Sequence, residues 1–256
     1  MKRILGFIVL AGCLLHAQRQ TAFEVATVKS SDPAARGGGI KANPGGQTIA
    51  ASNVDLRLMI RWMYKITNEQ IAGLPDWGDD LRWDVQAKAE RPASREEWPV
   101  MFQALVAERF QLKFHKETRT MTALVLGVDK SGSKMKVNAG QDQFEISMTL
   151  AGPLAPPAPA KWRGNRCSMQ YLAWWLSQQQ SRPAVDQTGL PGYYDFTLEF
   201  APDFGGRTGP NGEAPPAFDG PTLFEALRKQ LGLKVESAKA PVEVYVIERV
   251  VKPSPN

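Results

Sequence analysis

Residues 53–63, NVDLRLMIRWM, and residues 166–176, RCSMQYLAWWL, decide the fold of this chain. In each stretch, apolar residues recur at positions i, i+3, i+4 and i+7, and the two stretches are offset by 113 residues. Apolar side chains at this spacing lie on one face of an α-helix and are buried there. The apolar positions are Leu56, Met59, Ile60 and Met63, and then Met169, Leu172, Ala173 and Leu176. The sequence therefore predicts two amphipathic helices at equivalent positions of an internal repeat.

Further landmarks follow both predicted helices in the same order. A Gly-Leu-Pro turn comes first, then an aromatic-rich strand with one aspartate, then a helix that opens with a capping box, and finally an apolar strand. In the first half these are residues 73–75, Asp84, Ser94 with Glu97, and residues 123–128; in the second half they are residues 189–191, Asp195, Thr222 with Glu225, and residues 242–246. We therefore predict an α+β protein made of two tandem copies of a small unit with two helices and a short sheet.

The first residues have the layout of a secretory signal peptide. Lys2 and Arg3 precede an uncharged apolar run, residues 4–15, after which the chain turns polar. The run is too short to span a bilayer, which takes roughly 20 apolar residues. We predict a signal peptide of residues 1–17 that is cleaved after Ala17, and a periplasmic or extracellular protein without a membrane span. The alternative is a lipoprotein that is anchored through Cys13.

Proline and glycine mark the boundaries between the predicted parts. We expect a first α+β lobe over residues 18–150 and a second over residues 161–256. Residues 151–160 contain four prolines and are predicted to form a stiff, extended connector. A second stretch rich in glycine and proline, residues 202–221, predicts a mobile surface loop within the second lobe.

Charge and cysteine content exclude several classes of partner and site. Removal of the signal peptide leaves 29 basic and 26 acidic residues, a net charge of +3, and no block of Lys or Arg that would suit a nucleic acid. Cys167 is then the only cysteine, so the chain has no intramolecular disulfide. A thiol near a helix N-terminus can be reactive. Because Val54 holds the matching position in the first copy, we instead predict a small buried residue.

Histidine is nearly absent from the predicted mature chain. His115 is its only histidine, and alternation with Phe110, Leu112 and Phe114 places it on the polar face of a strand. We predict a solvated strand residue rather than a general base. One histidine and one cysteine are too few for a conventional zinc site. No catalytic residue, metal or cofactor is predicted.

An acidic run lies beside Trp77 and Trp83. Paired carboxylates next to aromatic side chains would suit hydrolysis of glycans or a calcium-binding loop. The spacing of these residues is not that of an EF-hand loop. The carboxylates are Asp76, Asp79, Asp80 and Asp84. Because Trp83 and Asp84 recur as Tyr194 and Asp195, we predict a structural role for them.

The same landmarks resemble a known family of proteins. The chain is similar to an uncharacterised family of exported proteins, expanded in soil bacteria and carried as a domain of unknown function. The resemblance rests on residues 23–29, FEVATVK, residues 108–113, ERFQLK, residues 186–198, and residues 231–234, LGLK. It covers nearly all of the mature chain and implies no activity. Residues 168–246 more weakly resemble the short N-terminal domain of secretins and TonB-dependent receptors, which implies an extracytoplasmic interaction module.

These observations together predict a non-catalytic extracytoplasmic module whose partner is an envelope or secreted protein. We expect the last strand to be an exposed sheet edge to which a partner adds a strand, at Val242, Val244 and Val246. Trp174 is the second predicted contact. Trp174 and Trp175 lie beside the apolar face of their helix, which predicts a place in the core or in an interface, and the alternative is an exposed aromatic strip with Trp62. The alternatives are a carboxylate-based envelope hydrolase acting on glycans and a binder of small molecules.

Overall fold

A computed structural model describes residues 22–43, 45–140, 147–151, 156–203 and 217–254. Helices and strands are both present in this part of the chain, and the protein is α+β as predicted. The predicted signal peptide, with Cys13, lies outside the described residues. So do residues 152–155 of the predicted connector and residues 204–216 of the predicted loop, and those two predictions stay predictions.

The described elements are twelve strands, five α-helices and two short turns of other helix types. The strands are β1 (Val25–Ser30), β2 (Gly39–Ala42), β3 (Thr48–Val54), β4 (Ile71–Ala72), β5 (Trp83–Lys88), β6 (Lys113–Val128), β7 (Lys136–Val137), β8 (Ser147–Leu150), β9 (Ala160–Cys167), β10 (Ala184–Asp186), β11 (Tyr194–Phe200) and β12 (Leu233–Arg249). The helices are α1 (Leu56–Tyr64), α2 (Trp77–Asp80), α3 (Glu97–Arg109), α4 (Met169–Gln180) and α5 (Leu223–Ala226). A 3₁₀ turn covers Asn68–Gln70, and a π-helical turn covers Leu227–Leu231.

The chain forms two compact units, and the first of them is built from both ends of the sequence. The first unit contains the residues up to Glu117 and those from Glu243 onward, and the second contains Thr118–Val242. The long strands β6 and β12 each contribute residues to both units. Because of this sharing, the units differ from the predicted lobes of residues 18–150 and 161–256.

The first unit contains an antiparallel sheet in the strand order β1-β5-β3-β2. One hydrophobic cluster joins Val28, Ile49 and Val85 of this sheet to Met59 of α1 and Phe102 of α3. Strands β1 and β2 are the two edges of the sheet.

Helix α1 begins and ends at residues that satisfy its free backbone groups. The Asp55 carboxylate accepts the Leu58 N–H at 2.6 Å, and Lys65, in the left-handed conformation, donates its N–H to the Arg61 carbonyl. The predicted apolar face of this helix is confirmed, since its four positions are all buried: Leu56, Met59, Ile60 and Met63.

The second unit contains a sheet in the strand order β7-β11-β9-β8 together with helix α4. The Ser168 hydroxyl accepts the Tyr171 N–H at 3.1 Å, and Ser181, also left-handed, ends the helix. The predicted apolar face is again confirmed, because Met169, Leu172, Ala173 and Leu176 are buried.

Both predicted capping boxes are present too, at Ser94 with Glu97 and at Thr222 with Glu225.

A third sheet has the strand order β10-β6-β12-β4 and contains the two parallel pairings of the described chain. In the first unit, β4 pairs with Tyr245 and Val246 of β12. In the second unit, β10 pairs with residues 124–126 of β6. Both short strands are paired with a strand from the opposite half of the sequence.

Candidate functional site

Two carboxylates of the acidic run beside the tryptophans, those of Asp79 and Asp84, are hydrogen-bonded within the first unit. The Arg57 guanidinium donates two hydrogen bonds to Asp79, at 2.5 and 2.8 Å, and these bonds hold the pKa of that carboxyl below its usual value. Asp76 and Asp80 are exposed. Trp83 is buried with its ring edge-on to Phe110.

Asp84 accepts hydrogen bonds at the register shift between β3 and β5 in the first sheet. Its carboxylate accepts the backbone N–H of Asn53 at 2.9 Å and the hydroxyl of Ser31 at 2.8 Å. Asn53 is left-handed, with φ 51°, where the pairing of β3 with β5 shifts register. The Asn53 N–H, with the Ser31 hydroxyl, lowers the Asp84 pKa, so the side chain is an ionised structural acceptor.

Asp195 makes the corresponding contacts in the second unit. It accepts the backbone N–H of Arg166 at 2.9 Å, and the Asn138 amide at 3.0 Å. Arg166 is left-handed, with φ 46°, beside the register shift between β9 and β11. Burial opposes ionisation of Asp195, but the Asn138 and Arg166 hydrogen bonds outweigh it, so its pKa is lowered. Asp84 and Asp195 thus each accept the backbone N–H of a left-handed residue beside a register shift.

The shifted carboxyl groups of the described residues all favour the charged form. A glycosidase needs one carboxyl whose pKa is raised so that it can donate a proton. In the described part of the chain, every carboxyl with a shifted pKa is shifted downward: Asp79, Asp84, Glu97, Asp129, Asp195 and Glu225. Over those same residues, no group of three or more His, Cys, Asp or Glu side chains is placed to hold a metal ion.

His115 lies exposed on β6, as predicted, but its surroundings differ from the prediction. The strand begins at Lys113, so Phe110 and Leu112 precede it and do not alternate with His115 within one strand. Gln111, left-handed with φ 50°, redirects the chain between the two buried residues.

Two carboxylates bracket the imidazole of His115. Its Nδ1 lies 2.8 Å from Glu248 Oε1, and its Nε2 lies 3.0 Å from Glu117 Oε1. Contact with Glu117, and then with Glu248, raises the His115 pKa. Glu248 is 133 residues away in the sequence, so no local pattern could have revealed this arrangement.

Replacing His115 with glutamine is expected to make the stability less dependent on pH. Because the folded-state pKa is raised, the contribution of the charged imidazole is fully present below the unfolded pKa and is lost as the pH rises through the folded pKa. The Tm difference between wild type and His115→Gln should therefore be larger at about pH 5.5 than at about pH 9. Lys113→Gln, at an exposed position of the same strand, is the control and should show a difference that does not change with pH. Equal differences for His115→Gln at both pH values would contradict the expectation.

The predicted partner-binding strand is not a sheet edge, and this prediction is corrected. β12 lies between β6 and β4, and β4 pairs with it at Tyr245 and Val246. The side chains of Val242 and Val244 are buried and that of Val246 is half-buried. The alternating apolar pattern correctly indicated a strand, but it carries no information about which strands lie beside it.

The predicted aromatic strip is not formed as one exposed surface. Trp175 is buried against Trp162, with ring centroids 5.3 Å apart. Trp174 is half-buried, with its ring 5.0 Å from that of Tyr171. Trp62 packs edge-on against a phenylalanine of the first unit. Trp174 therefore offers only part of one ring to a partner.

Cys167 is a buried core residue, as predicted. It is fully enclosed in the hydrophobic cluster of the second unit, and burial raises the pKa of its thiol to about 12. A thiol with this pKa is protonated at neutral pH and is a poor nucleophile.

Strand β1 is an edge of the first sheet among the residues that the structure describes. The Ser31 N–H donates to the Arg82 carbonyl, so by alternation the backbone groups of Ala26, Val28 and Ser30 point away from β5. The Ala26 carbonyl accepts a bond from Arg109 at 3.4 Å. Among the residues that the structure describes, nothing hydrogen-bonds to the outward groups of Val28 and Ser30. The edge spans six residues.

The family is shown by a sequence model that matches residues 57–250 and is described as "Protein of unknown function (DUF3738)". The chain is a DUF3738 protein. No curated protein and no solved structure matches the chain, so the resemblance to secretin and TonB-receptor domains is not shown. The family match confirms the predicted membership in a domain of unknown function, and it covers both halves of the DUF3738 chain. None of its described helices is long and apolar enough to cross a membrane.

Proposed function

We propose that this chain is an exported, non-catalytic interaction module that binds an extended segment of an envelope or secreted protein along the edge of β1. The observation that carries the proposal is the row of outward backbone groups at Val28 and Ser30. An unpaired edge of this kind is a template for a further strand, and natural proteins use it to bind extended peptides.

The side chains around this edge define the chemistry of the expected partner. Val25, 59 % exposed, offers an apolar contact at one end of the strand, and the exposed Lys29 lies near the other end. Arg109 approaches the outward side of Ala26. A lysine on an edge discourages indiscriminate pairing. A partner segment with an acidic residue opposite Lys29 would form an ion pair with it, so Lys29 would favour this segment over other strands.

The two halves are, in this proposal, copies of one unit. Asp55 and Ser168 cap equivalent helices, Lys65 and Ser181 end them in the left-handed conformation, and each half carries one aspartate that holds a left-handed residue at a register shift. Left-handed non-glycine residues are uncommon. Their recurrence at matching places supports duplication of a single ancestral fold.

The location outside the cytoplasm rests on the signal-like residues 1–17. The competing hydrolase function has no support from the acidic run. The Asp79 carboxylate accepts hydrogen bonds from Arg57, and the Asp84 carboxylate accepts the Asn53 N–H of the first sheet. These bonds lower the pKa of both carboxyls and keep them charged.

A photo-crosslinking residue at Thr27 tests the proposed edge in the full, tagged chain recovered from the native cell envelope. Ser30→Pro removes an outward N–H without removing a hydrogen bond between β1 and β5, whereas Ser30→Ala keeps that N–H. We expect Ser30→Pro to lower the yield of the crosslinked adduct about tenfold and Ser30→Ala to leave it unchanged. Equal yields from two folded variants would exclude the edge, and absence of the chain from the envelope would exclude the proposed location.

A further inference from the structure

A short strand from each half of the sequence pairs with the long strand of the other half. β4, which follows α1 in the first half, pairs with β12 near the end of the second half. β10, which follows α4 in the second half, pairs with β6 near the end of the first half. The halves are taken here as the described residues 22–151 and 156–254, on either side of the predicted connector.

In the first unit, residues of the second half complete the hydrophobic core. Tyr245 is 5 % exposed and Ile247 is 8 % exposed, and both belong to the same buried cluster as the helices of the first half. The Tyr245 ring lies 4.9 Å from that of Tyr64 and 5.2 Å from that of Phe114. Beside them, the Gln70 amide donates to the Glu243 carbonyl at 3.0 Å.

In the second unit, residues of the first half complete the hydrophobic core. The buried side chains of Leu124, Leu126 and Met135 lie in the cluster that surrounds α4. β7, from the first half, pairs with β11 from the second, and the adjacent Asn138 amide donates to Asp195. Without residues 118–140, this core and this sheet would both be incomplete.

We infer that the two halves bind each other by reciprocal strand exchange, so that the protein remains one complex after its connector is cut. The binding surfaces are the side of β12 at Tyr245 and Val246 and the side of β6 at residues 124–126, and each accepts a strand from the other half. The connector then only raises the effective concentration of one half for the other. The inference rests on strand pairing and buried contacts within each unit, not on the proposed partner at β1, and it holds whether or not the halves arose by duplication.

A protease site inserted after residue 155 of the full chain, and cleaved once the protein has folded, tests the inference. We expect the two fragments to elute together as one species of unchanged mass under native conditions and to separate on a denaturing gel. Fragments that separate under native conditions, or that precipitate on cleavage, would overturn the inference.

Gly73 supplies a variant directed at the exchanged strand. Its φ is +74°, and a Cβ atom there would lie 2.8 Å from the carbonyl oxygen of Ile247 in the other half. Gly189 is the matched control, because its φ is +67° and a Cβ atom there would meet nothing within 4 Å. Both alanine variants carry the backbone strain of a left-handed residue, but only Gly73→Ala obstructs the approach of β12.

The two variants are compared in the cleaved protein by the concentration at which the halves dissociate. We expect Gly73→Ala to raise the dissociation constant about tenfold relative to Gly189→Ala. Circular dichroism of the uncut variants shows whether both have folded. Equal dissociation constants for two folded variants would overturn the exchange at β4, whatever the outcome of crosslinking at β1.

Discussion

Replacing Gly232 with alanine is expected to destabilise the protein by about 3 kcal/mol, the sum of left-handed backbone strain and a steric clash. Gly232 ends the π-helical turn with φ +69° and accepts the Asp129 N–H at 2.9 Å. A Cβ atom at this position would lie 1.8 Å from the carbonyl oxygen of Gly132, a backbone atom that cannot rotate away. To relieve the clash, the turn would have to move away from residues 129–134. The hydrogen bonds that Asp129 and Lys134 donate to the carbonyls of Gly232 and Leu231 would then be lost.

Gly192→Ala separates the two parts of this effect. Gly192 also has a positive φ, +82°, but a Cβ atom there would meet nothing within 4 Å. We expect it to cost only about 1 kcal/mol, the strain of the left-handed conformation alone. The free energy of unfolding of both variants is measured by urea denaturation, and the two values are compared provided that the m-values are equal. A Gly232→Ala protein as stable as Gly192→Ala would show that the turn relaxes without cost.

Replacing Asp84 with alanine is expected to lower the free energy of unfolding by about 2 kcal/mol, because it leaves the Asn53 N–H and the Ser31 hydroxyl without their acceptor. Asp84→Asn should cost less, since the amide oxygen can still accept one bond. The lowered pKa means that the carboxylate stabilises the fold above its unfolded pKa and that this contribution is lost as the pH falls through the folded pKa.

Asp80→Ala is the control for this substitution, because Asp80 belongs to the same acidic run but is exposed. We expect a change within about 0.5 kcal/mol. Chemical unfolding at neutral pH compares the three variants. Equal losses for Asp80→Ala and Asp84→Ala would mean that the register shift at Asn53 does not depend on its carboxylate partner.

Local features of this protein were predictable because they depend on neighbours in the sequence. The buried faces of α1 and α4 follow from helical spacing, and the capping boxes from pairs three residues apart. A structural role for Asp84 was predicted because an aspartate follows an aromatic residue in both predicted strands, at Asp84 and at Asp195. The burial of Cys167 was predicted from an apolar residue, Val54, at the position 113 residues earlier, and both side chains are buried.

The features that sequence reasoning missed all depend on contacts between distant segments. Residues 242–246 have the alternation of a strand, but alternation is the same for an edge strand and a central one, so the pairing with β4 was not visible. Glu248 of β12 contacts His115 of β6, and these two strands are neighbours in the sheet although they are far apart in the sequence. The open edge of β1 is also a property of the sheet order and not of its own sequence.

The placement of Tyr245 and Ile247 has a consequence for how the protein is made. Both come from the second half of the sequence, and both belong to the hydrophobic core of the first unit. That core therefore cannot close until residues 245 and 247 have been synthesised, long after the segments of the first half against which they pack.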